Sequence, residues 1–232
     1  MTQYLVTGAN RGIGLEFVNQ LLARGDRVIA TSRQPARAAE LNQLSGRFPG
    51  HLKILPLDIA APRSITELVR EVEMLDLTID VLINNAGVLS KGEVFGEVEA
   101  SALEQAFATN AQGPFLLTQA MVPRLNERAK VIAISSGLGS IARAARFGTP
   151  TYNISKAALN MAVRMLGHAL AEREIAVLAL SPGWVRTAMG GEDADLNVDQ
   201  SVSNMLKVID ALNFDADAIG QFLGNTGDPV PW

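Results

Sequence analysis

Tyr152 and Lys156 stand four residues apart in a stretch with helical periodicity, which puts both side chains on one face. A free phenol titrates near 10, too high for efficient proton exchange at neutral pH. A neighbouring ammonium favours the phenolate and lowers that value. Proton transfer works best when the catalytic pKa approaches the operating pH. The pair therefore reads as a proton donor to a carbonyl oxygen, or as a base toward an alcohol. A Tyr and a Lys at this spacing also occur as an ordinary packed pair on a helix. What favours chemistry is Ser136, directly after the apolar run 130–135, because open α/β sheets bind ligands at the carboxyl ends of their strands. Its hydroxyl would hold a substrate oxygen beside the tyrosine, with Ser135, Ser140 and Thr151 as nearby alternatives.

A second constellation is Thr7-Gly8-Ala9-Asn10-Arg11-Gly12-Ile13-Gly14, set between an apolar run and a helix-like stretch. Glycine tolerates positive φ and lets the backbone approach a pyrophosphate. A helix opening near Gly12 offers free N–H groups and its positive dipole end to phosphate. The spacing is G-x-x-x-G-x-G rather than the commoner G-x-G-x-x-G, and a tight turn without ligand is the plainer alternative. At the end of the second run, NAD binders place a carboxylate for the ribose 2′-hydroxyl. Here Ser32 and Arg33 stand there, and Arg11 lies in the glycine turn. Two guanidiniums without a carboxylate favour NADP(H), because planar guanidinium pairs well with phosphate oxygens. NAD(H) stays possible, since either arginine can equally be solvated surface charge.

The elements that must position these groups follow from the hydrophobic pattern. Apolar runs at 3–7, 27–31, 52–57, 81–84, 130–135 and 176–181 are continuous rather than alternating, as in strands buried on both faces of a parallel sheet. Helix-like stretches lie between them at 14–23, 36–44, 63–74, 102–121 and 153–172, then a helix at 201–212 and a short strand at 220–224. The alternation predicts an α/β fold, a single doubly wound Rossmann domain with a mostly parallel sheet of about seven strands flanked by helices. The domain spans 1–232, with a cofactor half to about 130 and a catalytic and substrate half after it.

Composition removes several other chemistries. With no Cys among 232 residues, disulfides, thiolate metal sites and cysteine nucleophiles are excluded. A net charge of −4 argues against nucleic acid as the main partner. No apolar run approaches the roughly 20 residues that span a bilayer, and no secretory signal pattern opens the chain. A cytoplasmic protein without a membrane partner is the expectation.

TGANRGIG at 7–14, NNAG at 84–87, Ser136 and the Tyr152-Asn153-Ile154-Ser155-Lys156 segment, in this order, resemble the short-chain dehydrogenase/reductase family over essentially the whole chain. The ending Gly220-Gln221-Phe222-Leu223 and Pro231-Trp232 is similar to the branch with the C-factor and sniffer-type carbonyl reductases. The resemblance implies that Tyr152 is the acid/base and that Ser136 orients substrate. It implies that Lys156 binds the nicotinamide ribose and lowers the tyrosine pKa, and that Asn110 holds a water in a proton relay. For the cofactor it adds Gly8, Asn10, Arg11, Gly12, Ile13 and Gly14 around the pyrophosphate. Asp58 and Ile59 meet the adenine, and Asn85, Ala86 and Gly87 line the adenosine ribose. Pro182, Gly183, Val185 and Thr187 hold the carboxamide.

The expected function is NADPH-dependent reduction of an aldehyde or ketone to an alcohol, or the reverse. The alternative is a dinucleotide-binding signalling or regulatory protein with incidental reductase activity. Substrate choice falls to 137–151, with Arg143 and Arg146, and to the acidic stretch 187–199, where Met189 reads as a core gap-filler. His51 and His168 have no companion ligands and read as structural. Association into a homodimer or homotetramer through 102–121 and 153–172 is expected from the same resemblance.

Overall fold

The computed structural model describes residues 1–232. Seven strands form one sheet, β1 (Gln3–Val6), β2 (Arg27–Ser32), β3 (Leu52–Pro56), β4 (Ile79–Asn84), β5 (Leu125–Ile134), β6 (Ala176–Ser181) and β7 (Gln221–Gly224), in the order β3-β2-β1-β4-β5-β6-β7. All six pairings are parallel. Strand order reverses between β1 and β4, the crevice where such sheets bind ligands.

Because side chains alternate along a strand, the apolar runs feed two cores. Leu5, Ile29, Leu82, Val131 and Val177 face one layer with α3 (Pro62–Met74), α5 (Gly113–Met121) and α6 (Pro150–Ala169). Tyr4, Val6, Val28, Val81 and Ile83 face the other, against α1 (Gly12–Ala23), α2 (Ala39–Arg47) and α7 (Val198–Ala211). Burial on both faces is why these strands lack a polar side.

Several boundaries depart from the sequence expectation. The fifth strand begins at Leu125 rather than 130, through Asn126, Glu127 and Arg128, and its register against β4 slips between Ile79 and Val81. The stretch 102–121 is not one helix. It is α4 (Ala100–Phe107), a π-helical segment Ala108–Gln112 and then α5. The stretch 36–44 divides into a 3-10 turn at Pro35–Arg37 and α2. Finally, α6 starts at Pro150 rather than 153, since proline suits the first helical turn.

The chain's last residues double back along the outside of β7. Leu223 bridges Pro229 in antiparallel fashion, the Val230 N–H donates to the Phe222 oxygen at 2.8 Å, and the Gly224 N–H to the Asp228 oxygen at 2.8 Å. No helix is long and apolar enough to cross a membrane.

Candidate active site

The glycine turn is locked to the end of β4 by residues that flank it. The Thr7 hydroxyl accepts from the Asn85 N–H at 2.9 Å and the Ala86 N–H at 3.0 Å, while Asn85 Nδ2 donates to the Thr7 oxygen at 2.9 Å and the Gly8 oxygen at 3.2 Å. Gly8 adopts φ 63°, and a β-carbon there would stand 2.8 Å from the Ala86 Cα. A β-carbon on Gly12, at φ 55°, would project toward the Thr187 methyl at 3.6 Å. The gap between the glycine turn and the segment after β6 is thus kept open by a missing side chain, and α1 begins there with uncapped N–H groups. Asn10 and Arg11 are exposed at the rim, Ile13 is half-buried and Gly14 is buried against Gly8 and Asn85.

On the opposite side of the crevice, α6 presents Tyr152, Ser155, Lys156 and Asn160 on its buried face. The Lys156 ammonium donates to the Ile134 oxygen at 2.6 Å and lies 5.6 Å from the Tyr152 ring centre. An ammonium has three donors, so two remain for a ligand. Gly139 lets the turn after β5 press on this lysine, since a β-carbon there would lie 2.8 Å from Lys156 Cβ.

Asn110 sits in the π segment, fully buried. Its Oδ1 accepts from the Val88 N–H at 2.8 Å, and its Nδ2 donates to the Val88 oxygen and to Ser155 Oγ, both at 2.9 Å. A β-carbon on Gly87 would lie 3.2 Å from Asn110 Oδ1 and 3.8 Å from Lys156 Nζ, so all three groups border one spot. The π turn adds a residue to the helical cycle, a common device for re-aiming side chains at functional sites.

The competing serines separate by geometry. Ser135 Oγ donates to Asn160 Oδ1 at 2.6 Å inside the fold, and Ser140 Oγ donates to the Trp232 oxygen at 3.4 Å. Thr151 Oγ1 is buried without a partner. Ser136 is half-buried, caps the turn Gly137–Gly139 by accepting from the Leu138 N–H at 3.2 Å, and faces the Tyr152 hydroxyl.

Burial pushes the Tyr152 phenol above its ordinary value, and the Ser136 hydroxyl pulls it back. The lowering expected from Lys156 is therefore not seen in this geometry. Burial also pushes the Lys156 ammonium down, to about 8.

At the far end, Ser32 is buried with an unpartnered hydroxyl, while Arg33 is exposed and, like Arg11, makes no ion pair. The Asp58 carboxylate is exposed and accepts from the Ala60 N–H at 3.1 Å. Ile59 is buried, its Cγ1 standing 2.7 Å from where a Gly113 β-carbon would be. Beyond β6, Gly183 at φ 80° turns the chain. Val185 then bridges Leu196, the Pro182 oxygen accepts from Ser201 Oγ at 2.7 Å, and Thr187 Oγ1 accepts from the Gly190 N–H at 2.9 Å. One small expectation changes, since Met189 is exposed rather than packed in the core, while His51 Nδ1 lies 3.2 Å from the Asp26 backbone oxygen, a structural contact.

Sequence reasoning overlooked Thr7, Val88, Ser155 and Asn160, which hold the candidate residues. Thr7 was findable as the hydroxyl between a strand and its glycine turn; the others depend on tertiary contacts alone.

The short chain dehydrogenase family model matches residues 3–197. C-signal of Myxococcus xanthus is 43% identical over 156 residues, covering 66% of this chain and 93% of that protein. The carbonyl reductase Sniffer of D. melanogaster superposes with a TM-score of 0.94 at 33% identity, covering all of both chains. An NADPH-bound carbonyl reductase from chicken fatty liver superposes with a TM-score of 0.92 at 38% identity, covering 100% of this chain and 99% of that one.

Proposed function

Since this chain belongs to the short chain dehydrogenase family and is an oxidoreductase of that family, we propose that it is an NADPH-dependent reductase of aldehydes or ketones. The observation that carries the reading is the buried Tyr152 and Lys156 on one face of α6, beside the half-buried hydroxyl of Ser136 at the carboxyl end of β5.

The residues fit a dinucleotide. The glycine turn leaves a cradle that a β-carbon at Gly12 would fill, and the Ser32 hydroxyl is an orphaned buried polar group. Gly8, Asn10, Arg11, Gly12, Ile13 and Gly14 would border the pyrophosphate, with Arg11 and Arg33 as partners for a 2′-phosphate. Asp58, Ile59, Asn85, Ala86 and Gly87 would border the adenosine. Lys156, Pro182, Gly183, Val185 and Thr187 would hold the nicotinamide half. When bound, the reduced nicotinamide supplies the hydride.

In this reading Ser136 holds the carbonyl oxygen. Tyr152 gives that oxygen a proton as the carbonyl carbon gains hydride, and the phenolate is reprotonated from solvent. Lys156 supplies a cation beside the tyrosine, which favours the transient phenolate. Asn110, whose amide N–H groups are both engaged by Val88 and Ser155, fixes the turn after β4 against α6 and would place a relay water through that framework. The exposed Ile154, Met161 and Met165 of α6, with Phe107 of α4, supply an apolar face for a homodimer or homotetramer.

The test is oxidation of NADPH by purified protein with a panel of small aldehydes, ketones and quinones. Turnover well above background is expected. NADPH binding without turnover would instead favour a regulatory dinucleotide-binding role, the second reading that similarity to C-signal keeps in view.

A further inference from the structure

Gly137 follows Ser136 at the mouth of the crevice, and the side chain that reaches it is a cation. Arg143 Nη1 comes within 4.0 Å of the position a β-carbon on Gly137 would occupy. The guanidinium forms no ion pair. A glycine at this point therefore brings the cation toward the backbone beside the group that holds the substrate oxygen.

An exposed arginine on a loose loop would carry no such meaning, but this loop is fastened on the N-terminal side of Arg143. The Ala142 N–H donates to the Trp232 oxygen at 2.9 Å. Ser140 Oγ donates to the same oxygen at 3.4 Å and accepts from the Arg143 N–H at 3.3 Å. Trp232 is itself fixed, its ring centre 5.6 Å from Phe222 and 5.8 Å from the Arg164 guanidinium.

Exposed apolar side chains stand among the charged ones at this end of the sheet. The segments after β4, β5 and β6 expose Phe95, Leu138, Phe147 and Trp184, and Phe95 meets Phe147 edge-on at 5.5 Å. The Glu93 carboxylate accepts from the Thr151 N–H at 3.4 Å through one oxygen, while its other oxygen is buried without a partner. One unpaired guanidinium beside these apolar side chains matches a molecule with an apolar or aromatic body and a carboxylate near its carbonyl.

We infer that Arg143 is a specificity-determining residue that selects carbonyl substrates bearing a carboxylate, seated by the Trp232 clasp. The inference rests on the reductase reading above and names a substrate class for that site. A guanidinium pairs with carboxylate through parallel charge-assisted hydrogen bonds, and losing such a contact lowers affinity about ten- to a hundredfold.

The experiment compares kcat/KM for benzoylformate with its methyl ester, and for 4-carboxybenzaldehyde with its methyl ester, using NADPH. The wild type should prefer the acid in at least one pair. Arg143→Ala should lower that acid-to-ester ratio about tenfold and Arg143→Glu further. Arg143→Lys should keep part of the preference, and Arg146→Ala should leave the ratio within about twofold. A ratio unmoved by Arg143→Ala and Arg143→Glu, or moved by Arg146→Ala instead, overturns the assignment. Should none of these four be reduced while other carbonyls of the wider panel are, the assignment of substrate class is overturned; should nothing in the panel be reduced, the reductase reading fails. Fluorescence titration of the NADP-loaded protein with benzoylformate then still reads the contact, and equal affinity in wild type and Arg143→Glu overturns it.

Discussion

The Lys156 ammonium donates to the Ile134 carbonyl oxygen at 2.6 Å from within the fold, and no carboxylate is paired with it. Burial of an unpaired charge is unfavourable, and it is tolerated here because the ammonium borders the crevice shared with Gly87 and Asn110. A group held this way is poised for a ligand at the expense of stability.

That expense has a pH signature. With a folded value near 8 against an ordinary 10.5, the unfolded chain holds more protons across that interval, so stability rises with pH through it. Lys156→Met lacks this dependence. The unfolding free energy of wild type relative to Lys156→Met should increase by roughly 3 kcal/mol between pH 7.5 and 10.5. Calorimetry across that range checks it, and a flat difference would contradict a desolvated lysine.

Tyr152→Phe keeps the packing of a buried ring and removes only its hydroxyl. General acid catalysis typically contributes about a hundred- to ten-thousandfold. Turnover should fall by that order while NADPH affinity, followed by fluorescence, changes little. Turnover close to wild type would refute the assignment of this phenol as the acid.

The adjacent serines should behave as opposites. Ser135→Ala leaves the buried Asn160 amide short of a partner and should lower stability by about 1–3 kcal/mol. Ser136→Ala lies at the half-buried strand end and should depress turnover with little change in melting temperature. Paired thermal melts and steady-state kinetics read both, and the reverse pattern would transfer the substrate-holding role to Ser135.

At the end of β2, Arg33→Asp replaces an unpaired guanidinium with a carboxylate that repels a 2′-phosphate. The NADPH-to-NADH ratio of kcat/KM should fall about ten- to a hundredfold. Arg11→Ala should act in the same direction and more weakly. An unchanged ratio in both variants would remove the arginines from cofactor discrimination.

Much of this arrangement is written in local sequence. The continuous apolar runs locate β1, β2, β3 and β6 within a residue, because strands buried on both faces need no alternation. Ser136, Tyr152 and Lys156 were legible because one strand end and one helical spacing bring them together. The start of β5 was not, since Asn126, Glu127 and Arg128 carry no strand pattern and are held by neighbouring side chains between the sheet pairings at Leu125 and Lys130. Nor was the π turn at Ala108–Gln112, because hydrophobic periodicity does not register one added backbone residue. Its cause is tertiary: Asn110 must reach Val88 and Ser155 together.

A parallel sheet with two open margins invites strand addition from other molecules. Here one margin is occupied by the chain's own residues 228–230 along β7, and the other, β3, presents Lys53 and Pro56. Backbone ladders between molecules are therefore discouraged on both sides. Contacts between copies are left to helix surfaces, where side-chain shape rather than repetitive hydrogen bonding decides the match, an arrangement that resists fibrous association at high concentration.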